Sequence, residues 1–218
     1  MSKTTQREDH LKALYALGEV QQEQGAWVST NTMALHLGVK PPSVTAMVQV
    51  LSELGWAEHR PYRGARLTPA GRKLALSLVR KHRLWETFLV ERLGFGWEEV
   101  HDIAEQLEHV DSVALVNKLD AYLGHPKVDP HGDPIPNAEG QIHEQPELVP
   151  LGSYDGNQPC AVAGVKEGTD QLLSEMSARG LALGTVLHPA DWERLPAAWH
   201  DQILVEPHPP RNQEKQPK

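Results

Sequence analysis

Two stretches of the chain set metal-ligating side chains at helical spacing. In RKHRLWETFL, His82 and Glu86 are four residues apart and share a helix face; in VHDIAEQLEHVDS, His101, Glu105 and His109 step by four, with Glu108 alongside. Burying such a row without a cation forces like charges together, and apolar surface cannot compensate for that. A divalent ion resolves the conflict. Imidazoles mixed with carboxylates and no thiolate favour a borderline-to-hard ion such as Mn²⁺ or Fe²⁺ over a structural zinc site built on cysteines. Zinc, cobalt or nickel would bind such groups at least as tightly in isolation, so a manganese preference has to come from coordination number, geometry and availability. His125, His131, His143, His188, His200 and His208 have no acidic partner at helical spacing and are read as non-ligands.

A second group suits nucleic acid. Lys40, Ser43, Thr45, Ala46 and Gln49 occupy the exposed part of a short helix opened by Pro41 and Pro42, whose rings suit contact with thymine methyl groups. Arg60, Arg63 and Arg66 crowd the segment that follows, in reach of phosphates or a minor groove.

These residues need elements to carry them. Leu11, Leu14, Tyr15, Leu17 and Val20 form one stripe of a helix from Glu8 to about Gln24. Ser29, Thr30 and Asn31 offer N-caps for a short second helix ending at Gly38, and Pro41-Pro42-Ser43 opens a third that stops near Gly55. The third helix after a short turn is the one that reads a major groove in helix-turn-helix proteins. Short extended segments at 56–59 and 65–67 around Pro61–Gly64 predict a β-hairpin wing, and Thr68-Pro69 starts a long helix to roughly Leu93. Further helices are expected from Trp97 to Val110 and from about Ser112 to Leu123. Between Gly124 and Pro150 the pattern loses its period and reads as a connector. From Leu151 to Glu206, short apolar runs, many glycines and one helix around Asp170–Ala178 predict a small β-barrel, followed by a polar, Pro-rich tail expected to be disordered.

Charge follows the same division. Residues 1–83 hold 12 Lys and Arg against 6 Asp and Glu, and residues 84–218 hold 9 against 23, so a basic module precedes an acidic one although the total is −8. The single cysteine, Cys160, excludes an internal disulfide and a Cys-based zinc site. The N-terminus has no signal-peptide core, and no run approaches the roughly 18 apolar residues of a membrane span, so a cytoplasmic protein is expected.

Through EDHLKALYAL, PPSVTAMVQVL, YRGARLTPAGR, RKHRLWETFL, VHDIAEQLEHV and DPHGDPIP, residues 7–140 resemble the diphtheria-toxin-repressor-like metalloregulators of bacteria, including the manganese transport regulators. The resemblance implies a mainly α fold: a winged-helix DNA-binding domain (1–72), a helical dimerisation and metal-binding domain (73–142), a linker (143–150), an SH3-like domain (151–206) and the tail (207–218). It implies two metal sites per subunit, one at His82, Glu86 and His101 and the other at Asp9, Glu105, Glu108 and His109. In some relatives the SH3-like domain adds ligands to the first site, for which Glu167 and Gln171 are the candidates. Glu105 stands where iron-sensing relatives tend to have cysteine, whereas His101 is retained as in the iron type and Lys12 replaces a glutamate ligand of some manganese sensors. The ion implied is therefore Mn²⁺, with Fe²⁺ as the alternative, and the partners implied are a second copy of the chain and a palindromic DNA operator.

Two rival readings use the same residues. A helical di-metal carboxylate enzyme would need paired Glu-x-x-His motifs on two helices, and that pattern is absent. No phosphate loop, serine nucleophile elbow or His-Glu-x-x-His motif occurs either, so no enzyme is expected. The second rival is a winged-helix regulator that answers to a small organic ligand, its His/Glu set being a structural metal site.

Overall fold

The computed structural model describes residues 3–20, 26–143, 147–155, 158–166, 170–192 and 194–208. It falls into two compact units. The first comprises Met1–His82, Leu107–Val113 and Pro136–Gln141; the second comprises Arg83–Gln106, Ala114–Ile135 and Ile142–Lys218.

In the first unit, α1 (Lys3–Val20), α2 (Thr30–His36) and α3 (Pro41–Glu53) enclose a core of Leu11, Leu14, Val28, Met33, Val44, Val48 and Leu51. Helix α2 starts where the sequence places its cap: Ser29 Oγ accepts from Thr32 N at 3.0 Å. Two prolines at the first positions of α3 sit where backbone N–H groups have no intrahelical partner. The wing is β1 (Ala57–Arg60) paired antiparallel with β2 (Gly64–Leu67), in register Ala57↔Leu67 to Arg60↔Gly64. A single bridge from Val28 to Ala65 adds a third row to that ribbon. Gly64 permits the approach: at φ +100 it lies so close to Val28 that a Cβ would stand 2.0 Å from the Val28 carbonyl oxygen. Helix α1 begins five residues before the expected Glu8; its expected end near Gln24 lies outside the described residues.

Helix α4 (Pro69–Leu93) runs on without a break from the first unit into the second. In the second unit, Leu84 of α4 packs with Val116 and Leu119 of α6 (Val113–Tyr122), with Leu123, and with Ile135. Helix α5 covers only His101–Leu107, shorter than the Trp97–Val110 expected. The cause is at both ends. Trp97 is drawn into the core of the C-terminal sheet domain, where Nε1 donates to Leu173 O at 3.1 Å and to Ser177 Oγ at 2.7 Å. Beyond Leu107 the chain turns, and Glu108 and His109 take side-chain partners of their own.

The C-terminal part is a four-stranded antiparallel sheet in the order β3 (Val149–Pro150), β6 (Ile203–Pro207), β4 (Cys160–Val165), β5 (Val186–Leu187), with a bulge at Val162/Gly164. Helix α7 (Asp170–Ala178) packs Leu172, Leu173 and Met176 onto Val162, Ile203 and Val205, and the short α8 (Pro189–Trp192) follows β5. The architecture is the one expected: helical DNA-binding and dimerisation parts, then a small antiparallel sheet. The stretch from Gly124 is a correction, because it is a built turn before it becomes a connector. Asp129 Oδ1 accepts from the N–H groups of His131 (2.8 Å) and Asp133 (3.0 Å), and Val128 bridges Pro134. Among the described residues no helix is long and apolar enough to cross a membrane.

Candidate metal centre and DNA-binding surface

The first unit brings together Asp9 from α1 and Glu108 and His109 from the turn after α5, with one ligand atom of each within 4.8 Å of the others. His109 Nε2 lies 3.4 Å from Asp9 Oδ1, and its Nδ1 lies 2.6 Å from Glu8 Oε2. Glu108 is nearly inaccessible, at 1% exposure, and its Oε2 accepts from Lys12 Nζ at 2.7 Å and from His82 Nδ1 at 2.6 Å. Burial alone would raise the Glu108 carboxyl, but the His82 hydrogen bond and the Lys12 charge outweigh it and hold the group below its usual range.

The second unit centres on Glu86, only 2% exposed. Glu86, Asp129 and His131 also bring ligand atoms within 4.8 Å of one another. Glu86 Oε2 is 3.6 Å from His131 Nδ1 and Glu86 Oε1 is 3.4 Å from His101 Nδ1. His131 Nε2 lies 2.8 Å from the Trp97 carbonyl, which can only accept, so Nε2 carries the hydrogen and Nδ1 is the nitrogen that faces the two carboxylates. Its ring stacks on Trp97 at 6.2 Å between centroids and 11° between planes. Burial works against the His131 charge, but hydrogen bonding and attraction to Glu86 and Asp129 lift its pKa to about 9. Asp129 is pushed up to about 7 by burial first, then by the charges of Asp133 and Glu86. His101, hydrogen-bonded to Glu105 and Glu86, rises to about 10.

Most of the expected ligands have side-chain partners in the structure. The Glu105 carboxylate lies 3.5 Å from His101 Nε2, one turn back on α5. Because α5 ends at Leu107, the four-residue step does not carry from Glu105 to His109. His131, read as a non-ligand, stands beside Glu86 and Asp129. Its position rests on the Asp129-capped turn, which has no helical period to reveal it. His82 lies one turn before Glu86 on α4, and its Nδ1 is directed to Glu108. Gln171 is exposed and donates to Glu175 Oε1 at 3.0 Å on its own helix, while Glu167 lies outside the described residues. Glu8, next to Asp9, joins His109 without a His or carboxylate four residues on to mark it in the sequence.

The donor chemistry fits a divalent cation: buried carboxylates converge with imidazole nitrogens at two places, and the chain's one thiol takes no part. Cys160 is buried in β4, where burial pushes it up to about 11. The comparisons agree with that chemistry. Residues 3–65 match the family described as "Iron dependent repressor, N-terminal DNA binding domain", and residues 68–137 match "Iron dependent repressor, metal binding and dimerisation domain". The iron-dependent repressor IdeR of Mycobacterium tuberculosis (strain ATCC 25618 / H37Rv) is 32% identical over 175 residues, which span 78% of this chain and 74% of that one. The chain belongs to the iron-dependent repressor family. As a member, it is a metal-dependent, DNA-binding transcriptional repressor and not an enzyme. The HTH-type transcriptional regulator MntR of Lysinibacillus sphaericus is 40% identical over 106 residues, 49% of this chain and 73% of that one. A solved manganese-dependent transcriptional repressor in complex with manganese matches with a TM-score of 0.74 at 33% identity, covering 91% of this chain and 98% of that one.

On this repressor, the residues chosen from sequence for DNA contact are accessible. Lys40, Pro41, Pro42, Ser43, Ala46 and Gln49 are exposed on and before α3, opposite the buried Val44, Val48 and Leu51. Thr45 is half-buried, and its hydroxyl donates back to Pro41 O at 3.1 Å. Arg60 and Arg63 are exposed on the wing; Arg66 is half-buried and pairs with Glu58 through Nη2 at 2.8 Å.

Proposed function

We propose that this repressor responds to Mn²⁺, with Fe²⁺ as its second ion, and represses metal-uptake genes as a homodimer on a palindromic operator. One observation carries the reading: Asp9 on the first helix of the DNA-binding domain converges with Glu108 and His109 from the dimerisation region inside a single compact unit. Oxygen and nitrogen donors without a thiolate suit manganese and ferrous iron, and the solved relatives named for manganese favour the first. Asp9, Glu108 and His109 would hold one ion. Both bonds to Glu108 fall on Oε2, which leaves Oε1 as the oxygen to ligate. Glu86 anchors the second site, together with imidazoles from His82, His101 or His131 and the Asp129 carboxylate.

A bound divalent ion supplies positive charge where these carboxylates meet. The rest of the work belongs to the chain. Glu8 and Asp9 hold α1 against His109, and Lys12 clamps the same helix to Glu108, so the pose of α1 is set by one cluster. Ordering that helix favours the conformation in which α3 and the wing of each protomer meet successive half-sites, a coupling between two sites through one preferred state.

The test is anisotropy of labelled promoter DNA at fixed salt with chelator-stripped protein, comparing no metal, Mn²⁺, anaerobic Fe²⁺ and Zn²⁺. Fixed salt matters because phosphate contacts make affinity steeply salt-dependent. Tight binding only with Mn²⁺ or Fe²⁺, lost in Asp9→Ala, His109→Ala, supports the reading. Equal binding without metal refutes it. Isothermal titration with Mn²⁺ tests the second site: Glu86→Gln should lower the stoichiometry from two to one, and the weaker of Asp129→Asn and His82→Gln identifies which partners Glu86 uses.

A further inference from the structure

Three wing arginines share one indole. The guanidinium carbons of Arg60, Arg63 and Arg66 lie 4.9, 5.2 and 4.9 Å from the ring centroid of Trp27. The backbone explains the meeting. Val28 bridges Ala65, so the antiparallel continuation sets Trp27 opposite Arg66, whose other neighbour across the ribbon is Glu58. Arg60, two residues along β1 from Glu58, is on the same face, and Arg63 comes back from the turn. At the tip Tyr62 is fully exposed and held at φ 64.

Crowding three cations on one ring is unfavourable unless something offsets the charge. Glu58 offsets one, through Arg66; among the described residues neither Arg60 nor Arg63 has a carboxylate partner. The net excess of positive charge, exposed on the wing of a DNA-binding domain, calls for an anion with closely spaced charges. The phosphates of duplex DNA have that spacing.

We propose that Trp27 is a positioning residue for DNA binding: its indole holds Arg60, Arg63 and Arg66 as one cationic plate for neighbouring backbone phosphates of duplex DNA. The proposal rests on the wing arginines being DNA contacts. Its physical basis is preorganisation: a guanidinium already stacked on a ring loses less side-chain freedom when it meets a phosphate than one waving in solvent. Trp27 touches the arginines and need not touch DNA.

The test uses the full chain with saturating Mn²⁺ and a labelled duplex from its own promoter region, across a series of salt concentrations. Trp27→Leu should bind on the order of tenfold more weakly at about 0.15 M salt, with the slope of log affinity against log salt shallower by about one. Trp27→Phe, which keeps an aromatic face, should recover most of both. Arg60→Gln with Arg63→Gln should cost less in the Trp27→Leu background than in the wild type, since the residues act as a unit. Should Trp27→Leu lose its fold by circular dichroism, Trp27→Phe crossed with Arg63→Gln makes the same comparison. Wild-type affinity and slope in Trp27→Leu, or fully additive losses, would overturn the proposal. An Arg60→Gln, Arg63→Gln protein that binds like wild type would instead refute the wing as a DNA contact, and the proposal with it.

Discussion

Protons and metal compete for the same side chains. In the metal-free chain His101 and His131 keep their protons to about 10 and about 9, against 6.5 for the free groups. Over that window the folded state binds more protons than the unfolded one, so their contribution is complete below pH 6.5 and is lost as pH rises toward 9–10. Asp129, raised to about 7 from 3.8, acts in the same sense at lower pH. Glu108, lowered, acts in the opposite sense and loses its contribution only as pH falls through the acid range. Thermal unfolding of chelator-treated protein should therefore give a falling melting temperature between pH 7 and 10. Ligation needs the imidazole lone pairs, so the stabilisation by Mn²⁺ should grow over the same range. A metal-free melting temperature that rises with pH would mean that these ion pairs do not form.

Among the elements, the wing depends for its shape on a missing side chain. Gly38 and Gly64 both have positive φ, but a Cβ at Gly38 would enter open space whereas one at Gly64 would strike the Val28 carbonyl. Gly38→Ala should cost about 1 kcal/mol for the left-handed backbone alone. Gly64→Ala should cost at least ~2 kcal/mol, because strain and backbone collision add, and should weaken DNA binding by separating Trp27 from the arginines. Urea denaturation of both variants measures the difference. Equal losses would show that the approach of Val28 to β2 relaxes freely.

The molecule as a whole presents an apolar and aromatic face on its helical part. Helix α6 buries Val116 and Leu119 but leaves Leu115 and Tyr122 exposed, with Tyr122 against Phe88 at 6.3 Å and the Arg92 guanidinium 5.5 Å from the Tyr122 centroid. An apolar and aromatic surface of this kind suits the isologous contact of a two-fold dimer, consistent with the family match over residues 68–137. Leu115→Glu combined with Tyr122→Glu should sediment as a monomer with unchanged circular dichroism. Its affinity for a two-half-site operator should fall by a factor of ~100 or more, since one reading head then binds without the other. A dimer that persists would place the interface elsewhere.

Local signals were enough for much of this protein. Ser29, the paired prolines before Ser43, and Thr68-Pro69 marked helix starts that the structure keeps, because caps and proline act on the neighbouring backbone alone. The apolar stripes of α1 and α3 and the four-residue spacing of His82 and Glu86 were equally plain, since one helix fixes its own faces. What the chain order could not reveal was where a period stops and what meets it from afar. Helix α5 covers only His101–Leu107, with Trp97 before it and Glu108 after it bound by groups distant in sequence, so the helical step does not continue from Glu105 to His109. Asp129 and His131 reach Glu86 through a side-chain-capped turn 43 or more residues away, and Trp27 meets three arginines through one backbone bridge. Such contacts depend on three-dimensional closure of the chain, where hydrogen bonds and charge between residues remote in sequence outweigh local preference.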